Sequence, residues 1–240
     1  MSTQTGTSAA QAQTAPTRRS RFTAWPLWAS AAGLLGTVGT LVFDVRPAAE
    51  SEAWESGGEY TVRQADVLGI AVLPGRLGWM AGVFAVAALI VFAAAWRRYV
   101  ERRHPSIAAG VVTGGVLVAA AGLAFGYGWK GALANYLGPE LGAYDEVGLF
   151  VYYMLTDFGA YLPWLGVWIA SFGVIWMAFA ERKVSRVLAV VTAVFTTAVG
   201  VLMLSSGVPG IPGTLMPLWL VVLGIWLAVG RSRITQDQEA

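Results

Sequence analysis

Six blocks of apolar residues mark out the chain, at positions 24–43, 77–96, 107–127, 158–180, 184–204 and 212–229. Each is 18 to 23 residues long, the length a helix needs to cross about 30 Å of hydrocarbon. Apart from Arg186 near the start of the fifth, they hold no Asp, Glu, Lys, Arg, His, Asn or Gln. The pattern predicts an all-α fold, a polytopic membrane helix bundle with six transmembrane helices. Residues 1–23 and 231–240 are then polar tails around a membrane domain at 24–230, whose long connecting segments are 44–76 and 128–157.

The charges between the blocks alternate in sign, which tests the count independently of hydropathy. One set of segments carries Arg18, Arg19, Arg21, Arg97, Arg98, Arg102, Arg103, Arg182, Lys183, Arg186, Arg231 and Arg233, 12 of the 16 basic residues. The other set carries Asp44, Glu50, Glu52, Glu55, Glu59, Asp66, Glu140, Asp145, Glu146 and Asp157, with Arg46, Arg63, Arg76 and Lys130 as its only cations. Positively charged segments stay on the cytoplasmic side, so both termini are expected there, in a plasma (inner) membrane. Five or seven crossings would put either RRYVERR or ERKVSR outside. Arg18 and Arg19 ahead of an apolar run have some likeness to a twin-arginine leader, but Asp44, Val45 and Arg46 make a poor approach to a cleavage site.

Composition narrows the chemistry. The chain is 56% hydrophobic and only 12% charged, with no cysteine and a single histidine, His104. Disulfides, thiolate metal sites, cysteine nucleophiles and multi-histidine metal or haem centres therefore fall away, so no cofactor is expected. The net charge of +2 is accounted for by topology, so no nucleic-acid partner is expected. No nucleotide-binding, serine-hydrolase, zinc-protease or kinase fingerprint is present.

Asp157 is the one acid inside a long apolar run. The 24 residues from Asp157 to Glu181 measure roughly 36 Å of helix, which places the carboxylate at or beyond the outer interface. Thr156 or Asp157 is thus expected to cap the fourth helix. Residues 147–155, ringed by tyrosines and tryptophans, read as a separate interfacial or re-entrant helix. Residues 131–141 are expected to join them in a cap on the outer face. In the third block Gly110 and Gly114, and Gly122 and Gly126, form two small-xxx-small pairs that mark a close helix contact.

The stretch SRVLAVVTAVFTTAVGVLMLSSGVPGIPGTLMPLWLVVLGIWLAVGR, residues 185–231, resembles the last two helices of uncharacterised six-helix bacterial membrane proteins. That resemblance implies a six-helix fold and carries no activity. The empty spans and small-residue faces favour a non-enzymatic accessory, scaffold or interaction subunit, in contact with the lipid bilayer and with a membrane protein partner or another copy of itself. The rival reading is a carrier or channel for a small solute, entered from the outer face and guided by Asp157, Asp145, Glu146 and Lys130. A third is an interfacial enzyme using two of those carboxylates as acid and base on a lipid or envelope substrate.

Overall fold

The computed structural model of the chain describes residues 22–138, 142, 144–230 and 232–236, with the side chains of Trp54 and Gln236 excepted. Residues 1–21, 231 and 237–240 of the two tails, Glu140 and part of the 131–141 segment lie outside the described residues. Among the described residues the regular structure is entirely helical.

The first helix, α1 (Leu27–Thr37), continues into a π turn, Val38–Val42. A short α2 (Ala48–Ser56) and a 3₁₀ turn (Gln64–Gly69) lead to α3 (Val72–Trp96), which again ends in a π turn, Arg97–Glu101. Then come α4 (Ile107–Tyr136), α5 (Glu146–Tyr161), α6 (Leu165–Phe179), α7 (Arg186–Ser206), α8 (Ile211–Val229) and the single turn α9 (Arg233–Gln236). Five stretches are long and apolar enough to cross a membrane: Val72–Glu101, Ile107–Tyr136, Glu146–Phe179, Arg186–Ser206 and Ile211–Val229. The first helix, Leu27–Val42, is apolar but shorter; at 1.5 Å per residue it measures about 24 Å.

Helix ends follow local chemistry. The Ser106 side chain accepts from the Ala109 amide to start α4, and Asp145 accepts from the Gly148 amide to start α5. Gly207, with φ +68°, closes α7 in the left-handed conformation that glycine adopts without strain. Pro212 then sits in the first turn of α8, where its missing N–H costs nothing.

Two expectations are corrected here. Residues 147–155 are the first half of α5, which runs through Thr156 and Asp157 without a break, so neither residue caps a helix. Thr156 instead donates back to the Tyr152 carbonyl one turn earlier. The bend in this long segment comes at Pro163, where a 3₁₀ turn, Leu162–Trp164, joins α5 to α6. The third apolar block also runs further than its hydropathy implies, carrying Lys130 into α4.

The helices form a closed ring in which α1 packs on α3 and α8, α4 on α3, α5 and α6, and α7 on α6 and α8. Small residues set the tightest seam. Ala108, Gly115 and Gly122 of α4 recur every seven residues, as do Gly159, Gly166 and Gly173 on the α5–α6 rod. The two rows meet in antiparallel order: a side chain on Gly173 would run into the Ala108 carbonyl, one on Gly115 into the Gly166 carbonyl and one on Gly122 into the Pro163 ring, while Gly126, one turn beyond Gly122, lies against the Gly159 carbonyl. The Gly159 carbonyl is free for that approach because its helical partner would be the missing N–H of Pro163. The interior is filled by large side chains, among them Trp164, Tyr127, Phe92, Leu123, Met177 and Leu220, all fully buried. Trp164, at the bend, lies directly on Gly36 of α1.

Candidate functional site

The polar chemistry of the bundle gathers at one end, which we call the acidic end. It starts with the π turn of the first helix, where the carbonyls of the last turn have no further helical amide to bond. The Lys130 side chain, fully buried, reaches them from α4: its Nζ donates to the carbonyls of Gly39 at 2.7 Å and Phe43 at 3.0 Å. The Tyr161 hydroxyl donates to the Thr40 carbonyl at 3.2 Å. The Thr40 hydroxyl pairs with the Tyr127 hydroxyl at 2.8 Å and also donates to the Ala160 carbonyl. Gly78 of α3 makes room, since a side chain there would press on the Phe43 carbonyl and on the Lys130 chain.

Beyond the π turn, Arg46 gathers carboxylates from three elements. Its Nε donates to Asp44 at 2.8 Å and its Nη1 to Glu50 of α2 at 2.6 Å, while Nη2 lies 3.6 Å from Asp157 of α5. Asp44 is held by three donors, the Val45 amide, Arg46 Nε and the Tyr161 hydroxyl. Half-burial opposes the charge on Arg46, but Asp44 and then Glu50 outweigh it, so its pKa stands above the ordinary arginine value. It is a permanent cation at the centre of the group. Asp157 is the loosest member, with 36% of its side chain exposed against 11% for Glu50. It opens on a cavity of about 230 Å³ lined also by Arg46, Phe158, Tyr161 and the turn 208–211.

The long connecting segments close over this end. Val45, Val67 and Ile70 pack with Leu133, Leu149 and Tyr153 in a small second core. Tyr136, Tyr144 and Tyr152 stand together with ring centroids 4.7 to 5.5 Å apart.

Of the residues expected from sequence, Lys130 and Asp157 both lie in this group. Asp145 and Glu146 do not: they start α5, 12 and 11 residues before Asp157, roughly 16–18 Å up the helix. Asp44, Arg46, Glu50 and Tyr161 were not singled out by sequence reasoning. The Arg46/Glu50 spacing of four was a signal for an ion pair, but the joining of Asp44 to Tyr161 across 117 positions leaves no local trace. Among the four glycines, Gly122 sits against Pro163 and Gly126 against Gly159, whereas a side chain on Gly110 or Gly114 would meet nothing within 4 Å.

Chemically the cluster is largely closed on itself, although the buried Oε2 of Glu50 accepts no hydrogen bond. A guanidinium occupies the space between the carboxylates, and among the described residues no group of three or more His, Cys, Asp or Glu is placed to hold a metal. The chain matches no protein-family model, no curated protein and no solved structure.

Proposed function

We propose that this chain is a plasma-membrane protein of six crossings, with both termini cytoplasmic and the acidic end outward, and that it acts as a non-enzymatic accessory or interaction subunit of a membrane complex. One observation carries the reading: Lys130, Asp44, Arg46 and Glu50 are engaged in holding the first helix and its following loop, while Trp164 and the glycine seam fill the middle of the bundle. Carriers commonly keep ionisable groups or broken helices around a site at mid-depth. Here the Lys130 amine serves backbone carbonyls and the Arg46 guanidinium serves carboxylates. What the outer surface offers a partner is charge, from the exposed Glu52, Glu55 and Glu59.

The test has two arms. The tagged chain, purified in mild detergent from its native membranes, is expected to bring down another membrane protein in comparable amount. Reconstituted alone in liposomes, it is expected to leave the permeability to small solutes at the protein-free level. A second reading, a carrier for a small solute, draws support from the cavity at Asp157; solute flux that Asp157→Asn abolishes, with folded yield unchanged, would establish it in place of the first.

A further inference from the structure

At the opposite end of the bundle the chain carries a second, larger cavity of about 530 Å³ between α3 and α4. Its upper wall is Arg97, Arg98 and Arg102, and its lower wall is Ile90, Ala94 and Leu117. We propose that this cavity binds an anionic diacyl phospholipid, the phosphate on the arginines and an acyl chain along the aliphatic wall.

The π turn that ends α3 carries Arg97 and Arg98, and Arg102 follows it directly. Its wider repeat brings Arg102 back to the side occupied by Arg97 and Arg98. All three are exposed, and none has an acidic partner within ion-pair distance among the described residues. The neighbouring acid, Glu101, accepts at 2.7 Å from the hydroxyl of Thr113, which also lines the cavity, and the three guanidiniums outnumber its single charge. The Arg98 guanidinium lies over the Tyr99 ring, 5.5 Å from its centroid, an arrangement that leaves its N–H edge open. Arginine forks match phosphate oxygens two at a time.

The other half of the cavity selects the class of anion. Ile90 is 50% and Leu117 44% exposed, and both continue into the apolar flank of α3 and α4. A free phosphate would leave that wall bare. A phosphodiester with an acyl chain covers it, and basic pockets between helices on the cytoplasmic side are suited to such head groups. The inference rests on the membrane reading above. That reading has its own check, because a chain that leaves the membrane fraction without detergent would refute it before any lipid is added.

The experiment titrates the full chain, in non-ionic detergent, with dioleoyl phosphatidylglycerol, dioleoyl phosphatidylcholine or inorganic phosphate, and counts bound molecules by native mass spectrometry. One phosphatidylglycerol is expected to bind in preference to phosphatidylcholine. Arg97→Gln, Arg98→Gln and Arg102→Gln are each expected to weaken it about fivefold, whereas Arg182→Gln with Arg186→Gln leaves it unchanged. Ala94→Trp fills the aliphatic wall with all charges kept, so it also weakens phosphatidylglycerol, and it carries the test if an arginine variant misfolds. Equal retention of both lipids, equal loss from both sets of arginines, no effect of Ala94→Trp, or displacement of the lipid by millimolar inorganic phosphate would each overturn the proposal.

Discussion

Lys130 shows how a buried cation can be held by backbone alone. Removing an ammonium from water is expensive, and here the return comes from two carbonyls and from the negative end of the first helix dipole. Lys130→Met would leave those carbonyls without a donor. We expect a loss of roughly 1–3 kcal/mol, read as a thermal midpoint in detergent lower by about 5 °C. Asp44 and Asp157 make a sharper pair. Asp44→Asn disturbs three donors at once and is expected to cost about 1.5–3 kcal/mol. Asp157→Asn loses a 3.6 Å contact at a partly exposed position and is expected to change stability by less than about 0.5 kcal/mol. The same unfolding curves decide both. From sequence, Asp157 was the conspicuous residue because it interrupts an apolar run; Asp44 lies in a segment full of acids, and nothing local separates it from its neighbours.

Packing at the level of elements turns on which face of α4 meets α5 and α6. Gly126→Ala would push a methyl group into the Gly159 carbonyl, and either backbone must move; a cost of about 1–3 kcal/mol is expected. Gly114→Ala enters open space on the same helix and exchanges glycine for the best helix former, so it should be neutral or stabilising by up to about 1 kcal/mol. Denaturation of the two variants side by side tests the contact directly. The spacing of four that drew attention to Gly110 and Gly114 is real, but a spacing cannot say which neighbour a face will meet. The repeat of seven through Gly115 and Gly166 was equally present in the sequence and is the one the seam uses. Helix ends were legible only where a capping side chain or a proline stood; charge alone misplaced the start of α5, because Asp157 can lie at the rim of the bundle, paired with Arg46, while the backbone stays helical.

Across the whole molecule the apolar blocks and the separation of charge were readable from the sequence, and the described members of the two sets of charges lie at opposite ends of the helices. What could not be read was how the connecting segments close over the acidic end, since that depends on contacts between distant positions such as Val67 and Leu149. The absence of cysteine makes the orientation easy to measure. A single cysteine at Ser51, exposed on α2, is expected to react with an impermeant maleimide from outside intact cells. One at Ser8 or at Ala180 is expected to react only after the membrane is opened. Reaction of Ser8→Cys from outside would mean that the short first helix does not cross, leaving five crossings.

The contact between Lys130 and Phe43 joins residues 87 positions apart, and this bears on how the protein is made. The ribosome releases the first helix long before the amine that closes its end exists. Until α4 arrives, the carbonyls of Gly39 and Phe43 must be satisfied by water or by the insertion machinery, so the earliest helix to emerge is among the last to be secured. A nascent chain cut short before residue 130 should hold its first helix loosely at the membrane, open to extraction by alkali, while one that extends through Tyr136 should resist it. The order of synthesis and the order of assembly are therefore different in this chain.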